Sequence, residues 1–331
     1  MLGLVLFLLM AAGLLWATVV LWTAWMLTHP PRRTYGGAVA RGMPGDPSEL
    51  DPARAFSAWV LRDRGGRELP VWDLPGDDPA GPVVILTHGW GDSRIGGLAR
   101  VGALAPVASR LILWDLPGQG EAPGVCRLGG TESGALRALI GTIRGEQRAG
   151  AAAGPPLVLY GWSLGAGCSI EVAASDGGIA GVIAESPYRL RGTPARNVLA
   201  ARGLPHRWTL GPALVVALLR GEDAASSGTR GDRPVAPAPP FDRAAHAARL
   251  PCPLVVIHGG QDRVSPVEDG RAIAGAAPGG RLVEIEGGGH NDLWTDPRFA
   301  EECTRAARVF ILALAAGGPG RGSPGSHTVA R

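Results

Sequence analysis

Six short apolar runs, each closed by glycine, aspartate or serine, punctuate this chain: "PVVILTHGW", "SRLILWDLPG", "PLVLYGWS", "GIAGVIAES", "CPLVVIHGG" and "RLVEIEGGGH". Each is short and rich in Val, Ile and Leu, the side chains that pack best on a pleated surface. The intervals are mostly helix-compatible, as at Glu132–Ala149 and Ser163–Ser175. Strands without polar alternation, separated by helices, predict an α/β fold with a mostly parallel sheet covered on both faces. An earlier stretch, "FSAWVLRDRGGRELPVWDLPG", predicts two more strands around a turn at Gly65–Gly66. In parallel sheets, ligands sit beyond the carboxyl ends of the strands. The residues that close these runs are therefore the candidates for chemistry.

Composition narrows the choice. The 331 residues suffice for one α/β domain with a good-sized core. With 46% apolar and 18% charged residues, disorder is not expected over most of the length. A net charge of +3 makes no case for a nucleic-acid partner. Every basic residue is arginine, which removes lysine nucleophiles, Schiff-base lysines and phosphate-loop lysines. Cys126, Cys168, Cys252 and Cys303 are widely spaced with no CxxC pair, so neither a metal site nor a disulfide framework is expected, and no cofactor is called for.

Leu2–Thr28 carries no charged side chain and exceeds the roughly 20 residues that cross a bilayer core. It lacks the basic start, shorter apolar run and small-residue cleavage site of a secretory signal, and ends "WMLTHPPRR". The reading is a transmembrane anchor over residues 1–29, with Trp22 and Trp25 suited to an interfacial belt. Arg32, Arg33 and Arg41 follow, so the positive-inside rule puts the bulk of the chain in the cytoplasm. Residues 30–54, rich in proline and glycine, read as a linker; 55–316 as the catalytic domain; 317–331 as a disordered tail.

"LVLYGWSLGAG" contains Gly161-Trp162-Ser163-Leu164-Gly165, a G-x-S-x-G between a strand and a helix. That pattern raises a serine oxygen above the sheet on a tight turn. The flanking glycines allow strand and helix to approach where a β-carbon would clash. A helix N-terminus at the serine favours developing negative charge.

A serine hydroxyl needs a base near neutral pH. His290, directly after the last strand in "EIEGGGHND", is the candidate; His88 and His258, in "THG" and "IHG", are read as braces for loop backbone. The base needs an acid to fix its tautomer and stabilise its cation. Asp262 in "IHGGQDRVSP" gives the chain order Ser163, Asp262, His290; Glu185, ending "GVIAES", is the rival. An oxyanion hole needs backbone amides aimed at developing charge: that of Leu164, after the serine, and one from the loop after "VVILTHG", at Trp90.

The pieces "THGWGD", "WDLPGQGEA", "LYGWSLGAG", "AESPYR", "PLVVIHGGQDRVSP" and "EGGGHND" resemble the α/β-hydrolase superfamily over roughly Ala55–Ala315. The branch resembled holds the serine-aminopeptidase-like and monoacylglycerol-lipase-like serine hydrolases. The resemblance implies hydrolysis of a carboxylic ester, of a small molecule or a lipid, through an acyl-enzyme. It also implies a lid, here about residues 187–243, where "PARNVLAARGLP" and "RWTLGPALVVALLRG" read as two helices. The second could cover an acyl pocket or touch the bilayer. An aminopeptidase would instead need an acidic lid residue such as Glu222 or Asp223. One departure is "DLPGQGEA": Gln119 and Glu121 stand where many relatives have histidine and serine.

Overall fold

All six apolar runs become strands: β3 (Val83–Thr87), β4 (Arg110–Trp114), β5 (Leu157–Trp162), β6 (Ile179–Glu185), β7 (Leu254–Gly259) and β8 (Gly280–Ile285). The structure, a computed structural model, describes residues 1–149, 154–219 and 241–316. β1 (Ser57–Arg62) and β2 (Glu68–Pro75) form a hairpin around Gly65–Gly66. The sheet order is β1-β2-β4-β3-β5-β6-β7-β8. β3 to β8 run parallel, while β2 pairs antiparallel with both β1 and β4. This is the α/β-hydrolase fold.

Successive strand residues point to opposite faces, so each apolar run feeds two cores at once. Ile85, Ile112 and Leu159 pack on one side against α4 (Gly130–Ala149), α5 (Leu164–Ala173), α8 (Arg243–Ala247) and α9 (Val267–Ala276). Leu86, Leu113 and Tyr160 pack on the other against α3 (Leu98–Leu104) and α10 (Pro297–Ala316). α10 buries Phe299, Cys303, Ala307 and Phe310, at helical spacing, and turns its charged residues outward. The four cysteines are buried and unpaired.

α1 (Leu2–Thr28) is the one described helix long and apolar enough to cross a membrane. Its first half is exposed. Its second half packs on α7 (Leu210–Leu219), Val20 and Ala24 meeting Ala213 and Ala217. Small side chains let the two helices come close. The end of α1 is tied to the catalytic domain: Trp90 Nε1 donates to Leu27 O at 2.9 Å, and the Cys126 amide to Thr28 O at 2.9 Å. A further helix, α6 (Gly192–Ala201), lies in the segment expected as a lid.

Residues 30–54, expected as a linker, are mostly exposed but touch the domain at several points. They contain a short helix, α2 (Tyr35–Val39), and a 3₁₀ turn at Pro47–Glu49. Arg32 donates to Gly120 O and Ala122 O, Arg33 pairs with Asp92 at 3.0 Å, and Glu49 accepts from the Gly45 amide. Proline and glycine here set the bends of a strap whose Arg32 and Arg33 find partners on the domain. The expected tail at 317–331 lies outside the described residues.

Candidate active site

The geometry starts from two glycines. A β-carbon on Gly165 would stand 2.0 Å from Thr87 O, and one on Gly161 would stand 2.3 Å from Gly165 O. Neither approach tolerates any side chain. The chain between them must turn sharply, and Ser163 takes φ 52°, ψ −110°, a strained region for a non-glycine residue. The Ser163 amide is held by Glu185 O at 2.8 Å. Ser163 thus stands at the first turn of α5, its hydroxyl above the carboxyl ends of the strands.

His290, in the loop after β8, brings Nε2 to 3.1 Å from Ser163 Oγ. Its Nδ1 lies 2.7 Å from Asp262 Oδ2 in the loop after β7. A carboxylate can only accept, so Nδ1 carries the proton and Nε2 is left to accept from the serine hydroxyl. Burial by itself would raise the Asp262 carboxyl. Hydrogen bonds from His258 and His290, and from the Ser265 amide, outweigh it and hold the group well below the usual carboxylate range. Asp262 Oδ1 also takes the Val264 and Ser265 amides at 2.8 Å, which fixes the carboxylate face-on to His290. The Gly289 amide donates to Asp292 Oδ1 at 2.7 Å and shapes the histidine loop.

The other two strand-end histidines have different work. His88 donates from Nδ1 to Gly89 O at 2.7 Å and accepts the Leu116 amide on Nε2 at 2.9 Å. His258 donates from Nε2 to Ser265 O at 2.8 Å. Both are fully buried braces of loop backbone.

Glu185 is committed elsewhere. It accepts from Arg100 Nε at 2.8 Å, Tyr160 Oη at 2.6 Å and Trp294 Nε1 at 2.8 Å, almost entirely buried. Burial works against the Arg100 cation, but the adjoining Glu185 charge more than restores it. The two side chains brace β6 against α3, and neither forms a hydrogen bond with the side chain of His290 or Ser163.

The Leu164 amide opens α5 beside Ser163, and the Trp90 amide lies in the loop after β3. Among the described residues neither is used in a hydrogen bond. Two residues that hold this loop escaped the sequence reading. Gln119 Oε1 accepts the Gly91 amide at 2.7 Å, and Asp92 accepts from Arg33 and from Trp162 Nε1. The signal for Gln119 was the unusual "GQG" itself. A glutamine keeps an acceptor at that place, so the departure preserves the loop. Asp92 had no signal short of the fold. Glu222 and Asp223 lie outside the described residues.

A cavity of about 470 Å³ opens beside His290, walled by Trp90, Trp162 and Trp294 and rimmed by the strap. The described residues hold no cluster of side chains fit to ligate a metal.

A fold with a serine at a strained strand-to-helix turn, faced by a histidine–aspartate pair from later strand ends, defines a class, and sequence comparison agrees with it. The alpha/beta hydrolase family matches residues 83–302, and the chain belongs to that family. Pimeloyl-[acyl-carrier protein] methyl ester esterase of Xanthomonas axonopodis pv. citri is 30% identical over 270 residues, 71% of this chain and 96% of that protein. Its counterpart in Xanthomonas campestris pv. campestris is 29% identical over 269 residues, with the same coverage. Among solved structures, an esterase of Pyrococcus furiosus superposes with TM-score 0.63 at 17% identity, covering 87% of this chain and 98% of its own. A thermophilic esterase of Thermogutta terrifontis gives 0.54 at 22% identity, covering 78% and 99%. These structural likenesses concern the fold.

The two strand-end carboxylates can be separated experimentally. Glu185→Gln leaves Arg100 buried without a counter-charge, which should cost about 3–5 kcal/mol and lower Tm by many degrees. Asp262→Asn, in an isosteric site with amide donors already present, should lower Tm much less. Thermal unfolding of both variants checks this; equal Tm losses would contradict it.

Proposed function

We propose that this protein is a membrane-anchored serine hydrolase that cleaves a carboxylic ester through an acyl-enzyme. The observation that carries the reading is the continuous hydrogen-bonded line from Ser163 Oγ through His290 to Asp262. Ser163 attacks the ester carbonyl as His290 Nε2 takes its proton. Asp262 holds the imidazole in the one tautomer that leaves Nε2 free, and stabilises the imidazolium as it forms. The amides of Leu164 and Trp90 receive the negative charge on the carbonyl oxygen, with the N-terminus of α5 adding its dipole. His290 then returns the proton to the leaving alcohol. Water, activated by the same imidazole, releases the acid. The esterase names borne by the relatives favour ester over amide as the substrate class.

Anchoring rests on α1. Its uncharged, exposed first half suits a bilayer, and its second half is knitted to α7 and to Trp90. A segment built into the domain in this way is a poor candidate for removal as a signal. Arg32, Arg33 and Arg41 put the catalytic domain on the cytoplasmic side under the positive-inside rule. The lid helix α7, beside α1, meets the membrane surface.

Ser163→Ala should leave Tm near wild type while turnover of a p-nitrophenyl ester falls on the order of 10³-fold or more, because triad members act as a unit. Retention of a tenth of the activity would refute the assignment. For the anchor, the full chain should stay with membranes through a carbonate wash, at its full mass. Release into the wash, or a chain shortened by the length of α1, would refute it.

A further inference from the structure

The cavity beside His290 has an electrostatic character that ester hydrolysis alone does not require. Four guanidinium groups line it, from Arg32, Arg33, Arg41 and Arg100, against the carboxylates of Asp92 and Glu185. Both carboxylates are already engaged. Glu185 is saturated by Arg100, Tyr160 and Trp294. Asp92 takes Arg33 on one oxygen and Trp162 Nε1 on the other. Arg33 offsets Asp92 as Arg100 offsets Glu185, so the excess positive charge belongs to the strap, which carries Arg32, Arg33 and Arg41.

These three differ in what they have left to give. Arg32 uses Nη1 alone, on the carbonyls of Gly120 and Ala122. Arg33 uses Nη1 on Asp92, while its Nε is buried with no acceptor. Arg41 has no acid or carbonyl partner among the described residues. Three guanidiniums with unused donors thus line one cavity with His290, and Arg33 and Arg41 are the two that hold no backbone carbonyl. A buried donor left without an acceptor, as Arg33 Nε is, is costly, and guanidinium donors, those of the exposed Arg41 included, pair best with carboxylate or phosphate oxygens. The lining also holds apolar and aromatic side chains: Met43, Leu50, Trp90 and Trp294.

Resting on the serine-esterase reading, we infer that Arg33 and Arg41 form a subsite for an anionic group, carboxylate or phosphate, on the substrate remote from its ester. The anion sits at the strap, the apolar linker lies against the tryptophans, and the ester reaches Ser163 and His290. The cavity lies within the range that holds small ligands. The strap then selects substrates as well as connecting the anchor to the domain.

The test uses the full chain in micelles of a neutral detergent. Activated esters carry a terminal carboxylate, a terminal phosphonate or a neutral methyl ester, at increasing chain length. One series places that group on the acyl part and a second on the leaving alcohol. The expected result is a preference in kcat/KM of about tenfold or more for an anionic ester over its neutral partner in one series. It should reside in KM and shrink as salt is raised. The series that shows it tells which half of the substrate enters the cavity, and the stronger anion tells carboxylate from phosphate. Arg41→Gln should collapse the anionic-to-neutral ratio, and Arg41→Lys should restore part of it. Arg33→Gln should lower the same ratio, and because it also frees Asp92, its Tm is measured alongside. Neutral esters turned over with no anionic preference in either series, or a ratio unmoved in Arg41→Gln, would overturn the subsite and leave the esterase reading standing. No turnover of any ester would overturn both.

Discussion

The close passage of β5 into α5 against β3 is the contact on which the site depends. Backbone packs on backbone where Gly161 and Gly165 have no side chains, and the serine between them is forced into a positive φ. The strain is stored locally and held by strands on both sides. It sets the serine hydroxyl above the sheet and presents the first amide of α5 beside it. His290 and Asp262 reach the same point because parallel strands deliver all their carboxyl ends to one edge. The chemistry is thus a consequence of topology, with two glycines as its condition.

Around that condition the molecule arranges two kinds of buried charge. Asp262, its carboxyl held well below the usual range, faces His290, and its other oxygen is taken by two loop amides. Glu185 is closed off by Arg100, Tyr160 and Trp294. The two lie at the ends of adjacent strands. Only the first keeps a face towards His290. The strap after α1 adds a third set of charges. Arg32, Arg33 and Arg41 read from sequence as a topology signal, yet the fold brings them to the cavity beside His290. The same arginines can satisfy both demands.

How far the sequence reaches is clear from particular residues. The strands were legible because parallel burial imposes continuous apolar runs, and the serine turn because its requirement is local. His290 and Asp262 could be named as candidates from position at strand ends and chain order. The local structure of the segment after α1 was not legible because proline and glycine look alike in a loose spacer and in one that holds a short helix and a 3₁₀ turn. Gln119, Asp92 and Arg100 went unrecognised because their partners lie 28, 70 and 85 residues away. Glu185 and Asp262 look alike in sequence. What separates them is the arginine and aromatic donors that fold around one of them.

The central claim is that Ser163 becomes acylated. The most direct measurement is mass spectrometry of the full chain, acid-quenched during turnover of a slowly hydrolysed p-nitrophenyl ester. The account predicts a mass increase equal to one acyl group, mapped by peptide sequencing to Ser163 and absent from Ser163→Ala. An adduct on another residue, or ester turnover with no adduct while Ser163→Ala stays active, would contradict it.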